Sequence, residues 1–257
     1  MDNVFMVSEV MALFWLGIPT ILYFFLVKKF DYRQKRHLSE TIANYSLFNT
    51  LYSIFLSMAL VTLLVNFNTV QDDTRKEAES IISAARLMGG LKEASTLKRA
   101  LVRYAKSIVD YDLVAMRSGS MSKEAAEAFD NLWDQAYKTV LYSAHEESIH
   151  HLVIEELIEI SKARLTRMMK SNENLHPLIF FLIVAGYYVM LIKTYLTRVD
   201  NKKTQTIYEV CMFIVLIFVI TTIVDLNTPF AGIVNIDVSP FEWALERAWK
   251  ITGVIPQ

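Results

Sequence analysis

The chain has 257 residues, of which 53% are apolar and 21% are charged, and its net charge is -1. So large an apolar share beside many charges indicates a membrane protein with a substantial part in water. The near-zero net charge gives no reason to expect a nucleic-acid partner. A single cysteine, Cys211, excludes disulfides within the chain and thiolate metal sites.

Four apolar runs occur in chain order, at residues 11–27, 47–67, 178–196 and 207–226. Each is about long enough to cross the ~30 Å hydrocarbon core as a helix. We therefore predict an all-α membrane protein with four transmembrane helices and a helical-bundle insert between spans two and three. The predicted domains are an N-terminal transmembrane hairpin (1–67), an extramembrane helical bundle (68–177), a C-terminal transmembrane hairpin (178–228) and an interfacial amphipathic tail (229–257).

Basic residues in the short loops predict the orientation, because Lys and Arg favour the cytoplasmic side. The loops after spans one and three contain Lys28, Lys29, Arg33, Lys35 and Arg36, and Lys193, Arg198, Lys202 and Lys203. The N-terminus carries only Asp2 and Glu9 before its apolar run, which argues against a cleaved signal. We therefore expect the N-terminus, the insert and the C-terminus outside.

The insert is predicted to be helical throughout, because no proline interrupts residues 46–176. Span two continues from about 45 to 88, a second helix covers about 91–116, a third begins after the N-cap Ser122, and a fourth covers about 143–169. The predicted core positions of the last three helices are Leu97, Leu101, Tyr104, Ile108 and Tyr111; Phe129, Trp133, Ala136 and Val140; and Leu152, Leu157, Ile160 and Leu165.

Two short motifs point to a family. Residues 36–40 (Arg-His-Leu-Ser-Glu) precede span two, and residues 225–232 (Asp-Leu-Asn-Thr-Pro-Phe-Ala-Gly) follow span four. With the order of the spans, they resemble the bacterial bestrophin-like domain family, membrane proteins of unassigned function. The resemblance implies a distant relation to bestrophins, pentameric chloride channels whose pore is lined by the second span. It also implies a multi-pass protein of the bacterial cytoplasmic (inner) membrane. Bestrophins hold their insert in the cytoplasm, whereas the Lys and Arg count places this one outside.

Span two carries a stripe of small polar residues that gives way to leucines. The stripe is formed by Ser46, Thr50, Ser53, Ser57, Leu60 and Leu64. Several copies around an axis would form a neutral, wet mouth and an apolar constriction, which can gate by dewetting. The alternative is that the hydroxyl residues pack helix against helix, as small residues do in bilayers.

Acidic residues bracket span four, and an amphipathic tail follows it. Glu209 is expected at the membrane interface, while Asp225 is expected either to cap the helix end before Pro229 or to face an ion vestibule. The motif continues through Phe230 and Gly232. The tail, with Phe241, Leu245 and Trp249 along one face and Trp243 nearby, is predicted to lie at the membrane interface or to pack on a neighbouring subunit.

One histidine-rich stretch is a weak candidate for metal binding. Glu147, His151 and Glu155 are stacked one helical turn apart, and paired His and carboxylate groups can chelate a divalent ion. Three collinear ligands rarely complete a metal's shell, so a hydrogen-bonded face in water is the alternative.

Enzyme motifs are missing: there is no phosphate-binding glycine loop, zinc His-Glu-x-x-His pair or nucleophile elbow. We predict no enzyme and no cofactor. The favoured function is a homo-oligomeric ion channel, a pentamer and anion-selective by resemblance, that passes small ions such as chloride through the bilayer. The alternative is a membrane sensor or stress or defence effector whose insert binds a ligand or partner.

Overall fold

The computed structural model describes residues 16–25, 38–171, 175–196 and 202–254. Their regular structure is helical, as predicted. The elements in chain order are α1 (Leu16–Phe25), α2 (Leu38–Met88), α3 (Ser95–Ser107), a π-helical turn (Ile108–Asp112), α4 (Leu113–Met116), α5 (Lys123–Lys138), α6 (Ala144–Ser171), α7 (Pro177–Leu196), α8 (Lys202–Leu226) and α9 (Ser239–Thr252).

Three of the described helices are long and apolar enough to cross a membrane. They occupy Ser46–Met88 within α2, Pro177–Thr194 within α7 and Thr206–Leu226 within α8. Three of the four predicted spans are therefore helices of sufficient length and apolarity to cross a bilayer. The first predicted run, 11–27, lies partly outside the described residues, and its described part is the shorter apolar helix α1.

The chain forms two compact units. The first comprises Met1–Val65 and Asn174–Asn227, and the second comprises Asn66–Glu173 and Thr228–Gln257. Helix α2 contributes residues to both. The second unit therefore holds the helices of the predicted insert together with the tail, which the sequence analysis assigned to a separate segment.

Hydrogen bonds from buried side chains join the helices of the first unit. The Tyr187 hydroxyl donates to the Leu16 carbonyl at 2.8 Å and also contacts the Thr20 hydroxyl. The Tyr23 hydroxyl donates to Glu209 Oε2 at 3.1 Å, and Glu209 is 3% exposed. Glu209 is therefore buried within the first unit, and its position at the membrane interface stays a prediction. A carboxylate amid apolar residues needs a hydrogen-bond donor, and Tyr23 supplies one.

Gly186 allows α2 and α7 to approach closely. Any Cβ at position 186 would overlap the ring of Tyr52. The Tyr52 hydroxyl reaches across to the Ile183 carbonyl at 2.7 Å. The small residue therefore makes room for a large one whose polar end bonds to the facing backbone, a common arrangement between helices in bilayers.

The second unit is built around one apolar core. Leu97, Leu101, Tyr104 and Ile108 of the second predicted helix are buried in it, as expected. Ser122 caps α5 as predicted, since its hydroxyl accepts a hydrogen bond from Ala125 N at 3.1 Å.

Four predicted core positions are wrong: Tyr111, Val140, Leu152 and Leu165 are exposed. Val140 lies beyond the end of α5 at Lys138. On α6, Leu152 lies eight residues before the buried Ile160, and Leu165 lies eight residues after the buried Leu157. Eight residues correspond to a rotation of about 80° around the helix axis, which turns both side chains away from these buried positions.

Tyr111 is turned outward by the π-helical turn. In this turn Leu113 N donates to the Ile108 carbonyl, five residues earlier. A π-helical turn has more residues per turn than an α-helix, so the residues that follow it are set back in their rotation around the helix axis. Asp112 consequently faces the core and is fully buried, whereas Tyr111 is about half exposed.

Helix α9 is attached to the second unit by its N-terminal loop and its apolar side. The Gln71 amide bonds both backbone groups of Asp237, with 2.9 Å between Asp237 N and Gln71 Oε1. Phe241, Ala244 and Ala248 are buried in the core. Phe241 therefore packs inside its own subunit, not on lipid or on a neighbouring subunit, because α9 uses that side to cover the bundle.

Candidate functional site

The predicted pore stripe faces outward from the subunit. Ser46, Thr50, Ser53, Ser57 and Leu64 are exposed, and Leu60 is half-buried. The stripe that packs within the first unit is a different one, formed by Tyr52, Leu56, Ala59 and Leu63. The hydroxyl residues are therefore not used for packing inside the subunit, which removes that part of the alternative explanation.

A third side of α2 is exposed and apolar. It includes Leu47, Leu51, Ile54, Met58 and Val61, each more than half exposed. On a helical projection it lies about 100° from the hydroxyl stripe. The spanning part of α2 thus has a buried apolar side, an exposed apolar side and an exposed hydroxyl stripe between them.

Most residues of the second motif are buried. Asp225, Pro229, Phe230 and Gly232 are buried, and Phe230 belongs to the core of the second unit. A tight turn follows α8, because Thr228 O accepts hydrogen bonds from Ala231 N at 3.0 Å and Gly232 N at 3.1 Å.

Asn227 has a role that the sequence analysis did not assign. Its Oδ1 accepts a hydrogen bond from Leu175 N at 2.6 Å, just before α7 begins at Pro177. The end of α8 is thereby tied to the start of α7.

The histidine-rich candidate does not form a metal centre within the described residues, where no group of three or more potential ligands converges. His151 Nδ1 lies 3.4 Å from Glu155 Oε1, and both side chains are well exposed. His150 instead contacts the Ala136 carbonyl at 2.9 Å. The alternative, a polar face in water, describes the observed geometry.

The core of the second unit contains a buried ion cluster that the sequence analysis missed. Arg167 Nε lies 2.8 Å from Glu77 Oε2, and Arg167 Nη2 lies 2.9 Å from Asp112 Oδ2. All three side chains are fully buried. The Tyr104 hydroxyl donates to Glu77 Oε1 at 2.5 Å, and the ring of Phe241 lies 5.3 Å from the guanidinium carbon of Arg167.

Burial and charge set the protonation of this cluster. Burial disfavours the charged form of Arg167, but the charges of Glu77 and Asp112 outweigh it and hold its pKa above the ordinary value. Burial and the neighbouring Glu77 raise the pKa of Tyr104 well above its usual range. Tyr104 therefore stays protonated and donates a hydrogen bond to Glu77.

A second arginine, Arg164, lies beside the cluster on aromatic rings. Its guanidinium carbon is 5.0 Å from the Phe129 ring centroid and 6.0 Å from that of Tyr104. Its Nε and Nη2 are buried, and they have no hydrogen-bond partner among the described residues. The ring faces supply part of the stabilisation that hydrogen bonds would otherwise give.

Helical spacing contains a signal for two members of the cluster. Glu77 continues the buried stripe of Val70, Thr74, Ile81 and Met88 on α2, and Arg167 continues that of Val153, Leu157 and Ile160 on α6. A charge in register with an apolar stripe predicts a buried, paired group. Asp112 has no such signal, because the π-helical turn shifts its register.

A family model and several solved structures match this chain. A family model described as Bestrophin-like domain matches residues 14–241. Two variants of a bacterial bestrophin homologue from Klebsiella pneumoniae superpose with TM-scores of 0.71 and 0.65 at 11% and 12% identity, covering 98% and 97% of this chain and 99% of theirs. A structure described as a membrane protein gives 0.70 at 13% identity, covering 95% of this chain and 99% of that chain.

These identities are low, so the likeness to the solved structures shows a shared fold. Among curated protein sequences, none matches this chain.

Proposed function

Since the chain belongs to the Bestrophin-like domain family, as its two motifs predict, we propose that several copies surround a central axis and form an ion-permeable pore lined by α2. The copies are of one kind, and five is the number to test first, by resemblance to bestrophins. The shared fold with bestrophin homologues supports this proposal.

The observation that carries the proposal is the outward orientation of the hydroxyl stripe. Ser46, Thr50, Ser53 and Ser57 are exposed in the subunit, whereas α2 packs on α7 through its other side. Hydroxyl groups facing lipid gain nothing from their surroundings, since hydrocarbon offers no hydrogen-bond partner. In a water-filled axis between copies, water molecules are hydrogen-bond partners for the serine hydroxyls. The hydroxyl stripe then lines the pore.

The two leucines at the end of the stripe are the proposed constriction. Leu64 is 46% exposed and Leu60 is half-buried, so both have atoms directed away from the subunit core. A ring of such side chains narrows a pore and expels water from it, which blocks ions without a charged gate. The stripe itself carries no formal charge, which permits anions such as chloride to pass.

The proposal is tested by ion flux through the purified full chain in liposomes under a chloride or a potassium gradient. Shortening both leucines, Leu60→Ala with Leu64→Ala, widens the constriction and is expected to raise the flux several-fold. The matched control is Leu47→Ala with Leu51→Ala, which removes the same volume from the exposed apolar side of the same helix. That pair is expected to leave the flux unchanged.

The comparison of the two gradients also assigns the permeant charge. Equal flux from all three proteins, or none from intact oligomers, would contradict a pore along α2. The insert would then be studied as a ligand-binding or partner-binding domain.

A further inference from the structure

The one charged residue of α7 lies beside the hydroxyl stripe of α2. Lys193, in the last turn of α7, donates a hydrogen bond from its Nζ to Asn49 Oδ1 on α2. Both side chains are half-buried. A lysine near the end of a membrane span ordinarily extends its ammonium group into the water at the interface. Lys193 instead directs its ammonium group sideways onto the neighbouring helix.

Asn49 places this ammonium group within one helical turn of the stripe. Ser46 precedes Asn49 by three residues, and Ser53 follows it by four. Side chains at these spacings are neighbours on a helix, with about 5–6 Å between their Cβ atoms. Both serines are exposed. The stripe therefore has a fixed positive charge beside its Ser46 end, although its own residues are neutral.

The acids of the first unit's helix α8 are not exposed to the stripe. Glu209 and Asp225 are both buried within the subunit, and Glu209 accepts a hydrogen bond from Tyr23 of α1. The spanning part of α2, residues 46–67, contains no charged residue. Along the described part of the stripe, the charge that a passing ion meets is therefore that of Lys193.

We propose that Lys193 gives the pore its preference for anions over cations. Its ammonium group attracts an anion at the Ser46 and Ser53 hydroxyls and repels a cation there, and partial burial limits screening by salt. At about 6 Å, even with the dielectric constant of bulk water, a unit charge changes the occupancy of a monovalent ion about threefold. The effects on chloride and potassium are opposite, so their ratio changes about tenfold.

This inference rests on the proposed pore and names the residue that selects among its ions. Selection and gating are then assigned to opposite parts of the stripe. Asn49 precedes Leu60 by eleven residues, which is about 16 Å along the helix. A change at Lys193 is therefore expected to alter which ion passes, whereas the leucine changes alter how much passes.

The test measures the chloride-to-potassium permeability ratio of the purified full chain in planar bilayers, from the reversal potential under a KCl gradient. The native chain is expected to favour chloride. Lys193→Gln removes the charge, so the ratio is expected to fall about tenfold or more. Lys193→Arg keeps the charge and is expected to retain the native preference.

Asn49→Asp separates the charge of Lys193 from its role in joining two helices. The new carboxylate still accepts from the ammonium group, so α2 stays attached to α7, but it neutralises the positive charge beside the stripe. The permeability ratio is expected to fall as in Lys193→Gln, while the thermal unfolding temperature is at least that of the native chain. Lys138→Gln is the control, because it removes the same charge from an exposed position of α5, and it is expected to leave the ratio unchanged.

The possible failures are distinguishable. Current with an unchanged ratio in Lys193→Gln refutes the role of Lys193 and leaves the pore in place. A fall in Lys193→Gln with the native ratio in Asn49→Asp assigns the lysine to holding the helices together, and a native preference for potassium also removes the proposal. No current from intact oligomers of any variant contradicts the pore itself, and with it this assignment.

Discussion

In both units, a buried charged side chain joins helices that are distant in sequence. In the first unit Tyr23 bonds the buried Glu209, and in the second Arg167 joins Glu77 to Asp112. Three helical segments distant in sequence are thus fixed by one guanidinium. Such a cluster specifies an arrangement more than it adds stability, since removing the charges from water offsets their attraction.

Arg167→Met tests this at the residue scale. It leaves Glu77 and Asp112 buried without their cation, so we expect the insert to lose about 3–5 kcal/mol of unfolding free energy. Denaturant unfolding of the full chain, followed by far-UV circular dichroism, measures the change. The control is Arg103→Met on the exposed side of α3, with an expected effect below about 0.5 kcal/mol.

The double variant with Glu77→Gln separates the ion pair from simple loss of packing. We expect it to cost less than the sum of the two single changes, because each removes the other's unpaired charge. Strictly additive losses would show that Arg167 acts only by filling space.

At the scale of elements, sequence signals predicted helices well where the local chemistry is strong. Ser122 caps α5, and the absence of proline predicted helix through 46–176; the structure is helical over most of that range. The π-helical turn was not foreseen, because it accompanies the pairing of Asp112 with Arg167, a contact between distant residues that no local propensity encodes. The attachment of α9 was likewise missed, since the Gln71–Asp237 pairing joins residues far apart in sequence.

The candidate stripe was predictable for a simple reason. Hydroxyl residues at helical spacing are visible in the sequence, whereas the side of α2 that packs on α7 depends on Gly186 and Tyr52 meeting. That meeting is a property of two helices together.

Gly186→Ala tests the contact between α2 and α7. The added methyl group overlaps the Tyr52 ring, so the helices must separate, and we expect a loss of about 1–3 kcal/mol. The lowered thermal unfolding temperature in detergent is the measurement. Gly17→Ala is the matched control, because a Cβ at that position in α1 has no neighbour within 4 Å in the part of the chain that the structure describes. Equal unfolding temperatures for the two variants would show that the close approach is not needed.

At the scale of the whole molecule, family membership and loop charges lead to different orientations. The Lys and Arg of the two short loops predict an outside insert, whereas the bestrophin resemblance implies a cytoplasmic one. The difference decides which solution surrounds the insert and which end of the hydroxyl stripe ions enter first.

Labelling of a single cysteine resolves the sidedness. In a Cys211→Ser background, Tyr137→Cys places a thiol at a strongly exposed position of α5. We expect it to react with a membrane-impermeant maleimide added to intact spheroplasts. Gln34→Cys, in the first basic loop, is expected to react only after lysis. The reverse pattern would show that the loop charges mispredict this protein.

The π-helical turn bears on how the length of this chain can vary. Adding or removing one residue inside an α-helix normally rotates everything beyond it by about 100°. Here the turn has already absorbed one extra residue, and Asp112 and Met116 face inward in its presence. Loss of one outward residue, such as Asp110, would therefore restore a regular α-helix with the same two side chains still facing Arg167. This segment is a place where a deletion preserves the register of the core.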